Sequence, residues 1–314
     1  MSDVIQFQNV TKRYGSTTAL NDVSFAVPRG VVFALLGENG AGKTTAIRLM
    51  LGLTEATAGS VHVLGLDSRQ NGQIIRERIG YLSERPALYE WMTAVEIGWF
   101  TAGFYTNGYE FRYRELLTGF RVPFNRKLSQ LSKGMRAKVV LSLAMAHRPE
   151  LLVLDEPTSG LDTLVRREFL ESMVDVAAEG RTVLLSSHQI SEVERVADYV
   201  AIVHAGHLIT VDRLDELKQT TRQLTITVED ARTSMPAVDG EVINQRLRGR
   251  QWEMIVRDLE PAAIERVRFA NGVVAVESRT PSLEEIFVAY VATPIAITPA
   301  SPVTVNPIES SIDT

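Results

Sequence analysis

Gly37-Glu38-Asn39-Gly40-Ala41-Gly42-Lys43-Thr44 fits the pattern G-x-x-x-x-G-K-[ST]. A loop of this kind wraps phosphates with backbone N–H groups. Its glycines permit the turns and the close approach, and the helix after it offers a positive N-terminus to the anion. Lys43 is placed to reach β- and γ-phosphates, and Thr44 to bind Mg²⁺. A second group of reactive side chains, Asp155-Glu156, follows the apolar run Leu151-Leu152-Val153-Leu154. Two carboxylates at the carboxyl end of a buried strand point into the crevice where α/β sheets bind ligands. Asp155 suits a direct or water-mediated Mg²⁺ contact, and Glu156 suits polarising an attacking water. Taken singly, the loop could be a glycine turn with an accidental lysine and the acidic pair a solvated strand end. Side by side they point to binding and hydrolysis of a nucleoside triphosphate.

These groups require a strand–loop–helix frame. The run Val31–Leu36 reads as a strand buried on both faces, and it enters the glycine loop directly. A helix is expected over Thr44–Leu53, which places Thr45 next to the phosphate-binding residues. Residues 4–8, 19–27, 60–66 and 79–82 read as further strands, and so do 151–154, 182–186, 199–203 and 207–211. Helical segments lie between the later ones, so an α/β fold with a mainly parallel sheet is expected. Residues 86–149 change pattern and read as a helical insertion, with Trp91, Trp99, Phe100, Phe104 and Tyr105 close together. These aromatics are core residues by default, though some could form a docking patch. The expected domains are 1–218, then an α+β accessory domain at 219–292, then a tail at 293–314. The accessory domain has strands at 224–228, 241–247, 252–256 and 273–277 and helices at 261–269 and 282–291. The tail is rich in Pro, Thr and Ser and is expected to be disordered.

Composition narrows the class. Of 314 residues, 45% are hydrophobic and 23% charged, enough for a full-sized core. The net charge of −5 argues against a phosphate-tracking nucleic-acid binder, so no nucleic-acid partner is expected. No cysteine is present, which excludes disulfides and thiolate metal sites. The start lacks the pattern of a secretory signal, and no run approaches the roughly 18 apolar residues a membrane helix needs. A pore, if one is served, is expected on another polypeptide.

Residues between and beyond the two motifs identify a family resemblance. Leu131-Ser132-Lys133-Gly134-Met135 resembles the ABC signature LSGGQ, and Ser159-Gly160-Leu161-Asp162 looks like the D-loop. Ser187-His188 looks like the switch histidine, and Tyr14 stands where the family carries its adenine-stacking aromatic. Order and spacing agree from about residue 4 to 212, so the chain resembles ABC transporter ATPases. It is most similar to the bacterial subgroup with a C-terminal extension and a separate permease; Pro281–Phe287 resembles the end of that extension. The resemblance implies a P-loop NTPase core with a helical subdomain at about 86–149, binding ATP and Mg²⁺. It implies nucleotide contacts from Tyr14, the loop Gly37–Thr45, Ser132, Gly134 and Asp162. It further implies catalytic roles for Glu156, His188 and Glu84, with Thr44, Asp155 and Glu84 at the metal. A head-to-tail homodimer around two ATP molecules, a polytopic permease partner and a position on the inner face of the cell membrane are also implied.

The chain departs from the family pattern in two places. Glu84, after Tyr81-Leu82-Ser83, stands where glutamine is usual and adds charge beside the γ-phosphate. Lys133 and Met135 replace Gly and Gln in the signature. A soluble ABC ATPase acting on nucleic acid or ribosomes is the competing reading, without the coiled-coil insertion or second ATPase domain it would call for. A third reading is a regulatory module whose C-terminal domain binds a ligand, for which no motif is found.

Overall fold

A computed structural model of the chain describes residues 3–105, 108–230 and 234–292. The tail expected at 293–314 lies outside the described residues. Two compact units divide at Val211/Asp212.

The first unit opens with the hairpin β1 (Ile5–Tyr14) and β2 (Thr17–Val27). The strand β3 (Val32–Leu36) then passes through the glycine loop into α1 (Lys43–Met50). Next come β4 (Ala58–Val63), β5 (Leu66–Asp67), α2 (Gly72–Arg78) and β6 (Ile79–Leu82). A helical excursion follows, with α3 (Ala94–Ala102), α4 (Tyr109–Gly119), a short turn of 3-10 helix (Leu128–Gln130) and α5 (Lys133–Met145). The chain returns as β7 (Leu151–Asp155), α6 (Thr163–Ala178), β8 (Thr182–Ser187), α7 (Ile190–Val193), β9 (Tyr199–His204) and β10 (His207–Arg213).

These strands form two sheets. One has the order β10-β9-β3-β8-β7-β6, and the pairings from β9 across to β6 are parallel. All residues of β3 and β7 are buried, as their continuous apolar runs require. The other sheet, β2-β1-β4-β5, is antiparallel where its pairings are defined and stands apart from the parallel one. The mainly parallel sheet expected from the alternating strands and helices is the six-stranded one, and the strands at 4–8, 19–27 and 60–66 fall in this second sheet. The expected strand 60–66 breaks at Leu64 and Gly65, both with positive φ, and the chain turns into β5.

The sheet order has one consequence for chemistry. Strand β8 lies between β3 and β7, with Leu36 opposite Ser187 and Asp155 opposite Ser186. The carboxyl ends of three strands therefore bring the glycine loop, the acidic pair and Ser186–His188 to one edge.

The excursion has its own core of Ile97, Tyr109, Tyr113, Leu117, Leu128 and Val139. A capping box at Thr93 and Glu96 starts α3, and its hydrogen bonds from Thr93 hold the Glu96 carboxyl below its ordinary range. The expected aromatic cluster is only partly core. Tyr105 stacks on Tyr109 and His147, whereas Trp91 (66% exposed), Trp99 and Phe104 (73%) face outward.

The second unit begins at Asp212, earlier than the expected 219, and its first helix is α8 (Leu214–Thr220), in which Leu214 and Leu217 are buried. It continues with β11 (Thr221–Val228), β12 (Glu241–Arg248), β13 (Gln251–Arg257), α9 (Pro261–Arg268), β14 (Val273–Arg279) and α10 (Leu283–Ala292). Its antiparallel sheet has the order β12-β13-β11-β14. Leu224, Ile226, Met254 and Val256 pack with Val267 of α9, while Ile243 and Ile255 pack with Ala289 and Tyr290 of α10. The α+β character expected of this segment is what is observed.

Candidate active site

The glycine loop is shaped by its neighbours. A Cβ on Gly37 would lie 2.4 Å from the Val203 carbonyl oxygen, and one on Gly42 would lie 2.6 Å from that of Ala19. Gly42 also has φ of 113°, so side chains are excluded there by space and by conformation. Gly40 has φ of 84° and nothing within 4 Å of a Cβ position, so its backbone stands free. Glu38 and Asn39 are exposed and Ala41 is buried. Gly42 gives α1 no side-chain cap, which leaves N–H groups of its first turn to be satisfied by an anion. Thr45 lies half-buried in that same turn.

Lys43 is 5% exposed, and its charge is accommodated by three oxygens. The Nζ donates to Gly37 O at 2.7 Å and to Glu38 O at 3.2 Å, and lies 3.1 Å from Glu156 Oε1. That last contact is an ion pair without hydrogen-bond alignment, since Glu156 Oε1 is buried and has no hydrogen-bond partner. One buried carboxylate oxygen is therefore still able to accept a proton-bearing group.

Asp155 is buried at the end of β7. Its Oδ1 accepts from Ser186 Oγ at 2.6 Å and from Thr44 Oγ1 at 3.3 Å. Burial pushes the neighbouring Tyr81 phenol up, and the Asp155 charge adds to the effect. The next residue, Glu156, has φ of 50°, a strained conformation for a side chain of its size. Its N–H donates to Ser186 O at 3.2 Å and to Ser186 Oγ at 3.1 Å, and these bonds hold it there. Its Oε2 meets His188 Nδ1 at 2.8 Å and accepts weakly from His188 N–H at 3.4 Å. Lys43, Glu156 and His188 thus form one connected set, and the Thr44–Asp155 pair lies beside it, joined through Ser186.

The other expected residues occupy different places. Tyr14 ends β1, is 45% exposed, and has Lys12 Nζ 4.7 Å from its ring centroid; Lys12 also donates to Glu55 O at 2.7 Å. Ser132 caps α5, accepting from the Met135 N–H at 3.2 Å. Gly134 is buried, and a Cβ there would lie 2.6 Å from Val165 Cγ1, so within this chain the glycine lets α5 approach α6. Asp162 caps α6, accepting from the Val165 N–H at 3.1 Å. Glu84 is half-exposed and lies 3.9 Å from Arg85 Nε. It lines a cleft of about 440 Å³ together with Lys133, Arg136, Glu156, Ser159 and Gly160. Glu84 and the signature and D-loop segments therefore open onto Glu156, with two cations nearby.

Ser186 was not singled out from sequence, although it contacts both carboxylate residues. Its only signal is a hydroxyl at the end of the apolar strand Thr182–Ser187, and such serines are common. Arg166 and Glu192, which join α6 to α7 at 2.5 Å, were missed as well.

The donor set fits a triphosphate and its metal. The free backbone of Gly40, the uncapped start of α1 and the Lys43 ammonium suit phosphate oxygens. The Thr44 hydroxyl and Asp155 carboxylate offer Mg²⁺ the hard, sparse oxygen ligation it takes when substrate phosphates complete the shell. Among the described residues no cluster of three or more His, Asp or Glu side chains could hold a metal by itself.

Comparison with known proteins agrees with this geometry. The profile of the family described as ABC transporter matches residues 20–159. The bacitracin transport ATP-binding protein BcrA of Enterococcus faecalis is 35% identical over 230 residues, covering 72% of this chain and 74% of that protein. The lantibiotic transport ATP-binding protein SrtF of Streptococcus pyogenes is 34% identical over 215 residues, covering 68% and 92%. Among solved structures, an ATP-binding subunit of an ABC transporter is 33% identical with a TM-score of 0.63, covering 69% of this chain and 92% of that one.

Proposed function

This chain belongs to the family of ABC transporter ATP-binding proteins, which bind and hydrolyse ATP, and on that premise we propose that it powers export through a separate polytopic permease. The observation that carries the reading is the connected set Lys43–Glu156–His188 beside the Thr44–Asp155 pair. Similarity to proteins named for bacitracin and lantibiotic transport supports export, and a peptide-like antibiotic is the cargo class in keeping with it. No helix among the described residues is long and apolar enough to cross a membrane, so the proposed location is peripheral, on the inner face.

In this reading Tyr14 stacks on adenine and the Gly37–Thr45 segment holds the phosphates. Lys43 turns from the carbonyls of Gly37 and Glu38 to the β- and γ-phosphate oxygens. Thr44 and Asp155 would hold Mg²⁺, which when bound offsets negative charge on the phosphates, with Glu84 near it. Glu156 takes the proton of the attacking water, and His188 orients that carboxylate and the γ-phosphate. Ser132, Gly134 and Asp162 complete the site of a second copy of the chain, head to tail, with Ser132 and the start of α5 facing its γ-phosphate. The outward rings of Trp91, Phe104, Tyr89 and Phe100 run as a chain of edge contacts, and this surface docks the permease.

The test uses Glu156→Gln, which keeps shape and removes the base. It is expected to bind ATP–Mg²⁺, turn over very slowly and accumulate as a dimer by light scattering. Adding Ser132→Arg to the same chain should abolish that dimer. Lys43→Ala should lose nucleotide binding or hydrolysis at an unchanged melting temperature; wild-type turnover in it would remove the phosphate-loop assignment. Trp91→Ala with Phe104→Ala should release the permease while sparing ATP binding.

A further inference from the structure

Residues 156–162 carry Glu156 at one end and Asp162 at the other, and little of this segment is regular structure. Ser159 N–H donates to Glu156 O at 3.2 Å and Leu161 N–H to Thr158 O at 3.1 Å, which folds it into consecutive turns. On the side of α6 and α7, a pair of side chains anchors those turns. Arg166, in the first turns of α6, donates through Nη1 to Glu192 Oε1 at 2.5 Å and through Nη2 to Leu161 O at 2.9 Å. Glu192 belongs to α7, which begins just after His188, and its other oxygen accepts from Thr158 Oγ1 at 3.4 Å. Both side chains are largely withdrawn from solvent, at 23% and 18% exposure.

We propose that Arg166 and Glu192 are a positioning pair for ATP hydrolysis, holding the Glu156–Asp162 turns against the helix behind His188 so that Glu156 and His188 keep their 2.8 Å contact. The inference rests on the reading of Glu156 as the base. The logic is one of lever arms. Glu156 sits in a strained backbone conformation, and strain of this kind persists only where surroundings over-determine it. Ser186 secures it on the strand side. On the loop side, the pair reaches it through Thr158 and Leu161. His188 lies between β8 and α7, and Glu192 fixes the α7 side. A guanidinium with its planar fork can bridge a carboxylate and a carbonyl at once, which a lysine cannot reproduce. The same contacts tie the loop ending in Asp162, which the proposed dimer presents to the partner chain, to the histidine that senses the γ-phosphate.

The experiment compares Arg166→Ala, Arg166→Lys, Glu192→Ala, Glu192→Gln and the double alanine variant in the full chain. It measures steady-state kcat and KM for ATP, nucleotide affinity and melting temperature. Glu192→Ala and Arg166→Ala are expected to lower kcat by on the order of tenfold to a hundredfold, the scale of misplacing a catalytic group by about an ångström. KM should stay within about twofold, because neither side chain reaches the phosphate loop. The double variant should be no slower than the worse single, as for partners of one interaction. Glu192→Gln, which still accepts from Arg166 and Thr158, should recover most of kcat, and Arg166→Lys should recover little. Glu171→Ala, which breaks the exposed Arg167–Glu171 pair on the same helix, should leave kcat unchanged. Glu156→Gln runs alongside. If it is nearly inactive while the Glu192 and Arg166 variants turn over at the wild-type rate, the positioning role is wrong and the base assignment stands. If Glu156→Gln itself turns over normally, the base assignment falls and this inference with it. Should the alanine variants fail to fold, equal kcat in Glu192→Gln and Arg166→Lys would overturn the proposal.

Discussion

Gly134→Ala separates two jobs that one glycine could have. The alanine Cβ would stand 2.6 Å from Val165 Cγ1 and 2.9 Å from Cγ2, roughly 1 Å short of ordinary carbon contact. Overpacking of this kind costs about 1–3 kcal/mol, and the better helix propensity of alanine returns up to about 1 kcal/mol. The expected net loss is therefore about 0–2 kcal/mol, a fall in melting temperature of up to roughly 8 °C for a unit of this size. Because α5 begins at the Ser132 cap, pushing it from α6 should also lower ATPase activity. Val165→Ala removes both offending methyl groups. The double variant should then be no less stable than Val165→Ala alone and should regain the activity lost in Gly134→Ala. Melting curves and ATP hydrolysis on the four proteins of the cycle measure this. If Gly134→Ala keeps its melting temperature but loses activity, and Val165→Ala restores nothing, the steric argument is wrong and the glycine meets nucleotide directly.

Other outcomes follow from single contacts. Ser186→Ala leaves the buried Asp155 Oδ1 and the Glu156 N–H each short of a partner; a loss of about 1–3 kcal/mol and a slower ATPase are expected, read by denaturant unfolding and turnover. Lys12→Ala removes the cation over Tyr14, worth about 0.5–1 kcal/mol, and should raise KM for ATP about two- to fivefold, with Lys12→Arg close to wild type; an unchanged KM would show that the cation does not help the ring bind adenine. His147 bonds Ile79 O through Nε2 and has Nδ1 buried without a partner, and burial holds its pKa below the ordinary value. Its neutral form is favoured in the folded state, so its contribution to stability is full above about pH 6.5 and is lost as pH falls from there toward the lower folded value. His147→Gln should flatten that acid slope in melting temperature between about pH 7 and 5.

The phosphate loop and acidic pair were legible because local spacing states their chemistry. A lysine after a glycine turn and two carboxylates after an apolar run need no tertiary knowledge. The parallel sheet was legible for a similar reason, since Val32–Leu36 and Leu151–Leu154 are apolar without alternation. The separate antiparallel sheet was not, because the alternation of β1, β2 and β4 marks them as strands without saying which sheet they join, and the strand partners are set by long-range pairing such as Ile5 with Val63. The outward position of Trp91 and Phe104, in the turns on either side of α3, was hidden because composition cannot say which rings the fold covers. Ser186, Arg166 and Glu192 are ordinary residues in sequence; only the juxtaposition of β7, β8, α6 and α7 gives them contacts worth naming. Gly134 was read from its motif as a nucleotide contact, and its packing against Val165 could not be seen without α6 in place.

The helical excursion leaves the sheet after β6 and re-enters at β7, and these two strands are hydrogen-bonded neighbours. The pairing is parallel, with Leu82 opposite Leu154, so its two ends are fixed at opposite ends of adjacent strands, about 10 Å apart along the strand direction, however long the intervening chain becomes. Such a segment can be exchanged as a cassette: the sheet that carries the phosphate chemistry closes without it. A lineage could retarget this chain by replacing residues between Leu82 and Leu151 while inheriting the edge that carries Lys43, Asp155, Glu156 and His188, provided the new segment kept Glu84, Ser132 and Gly134. Grafting the corresponding segment of a relative between those two strands would show whether partner choice travels with the insert.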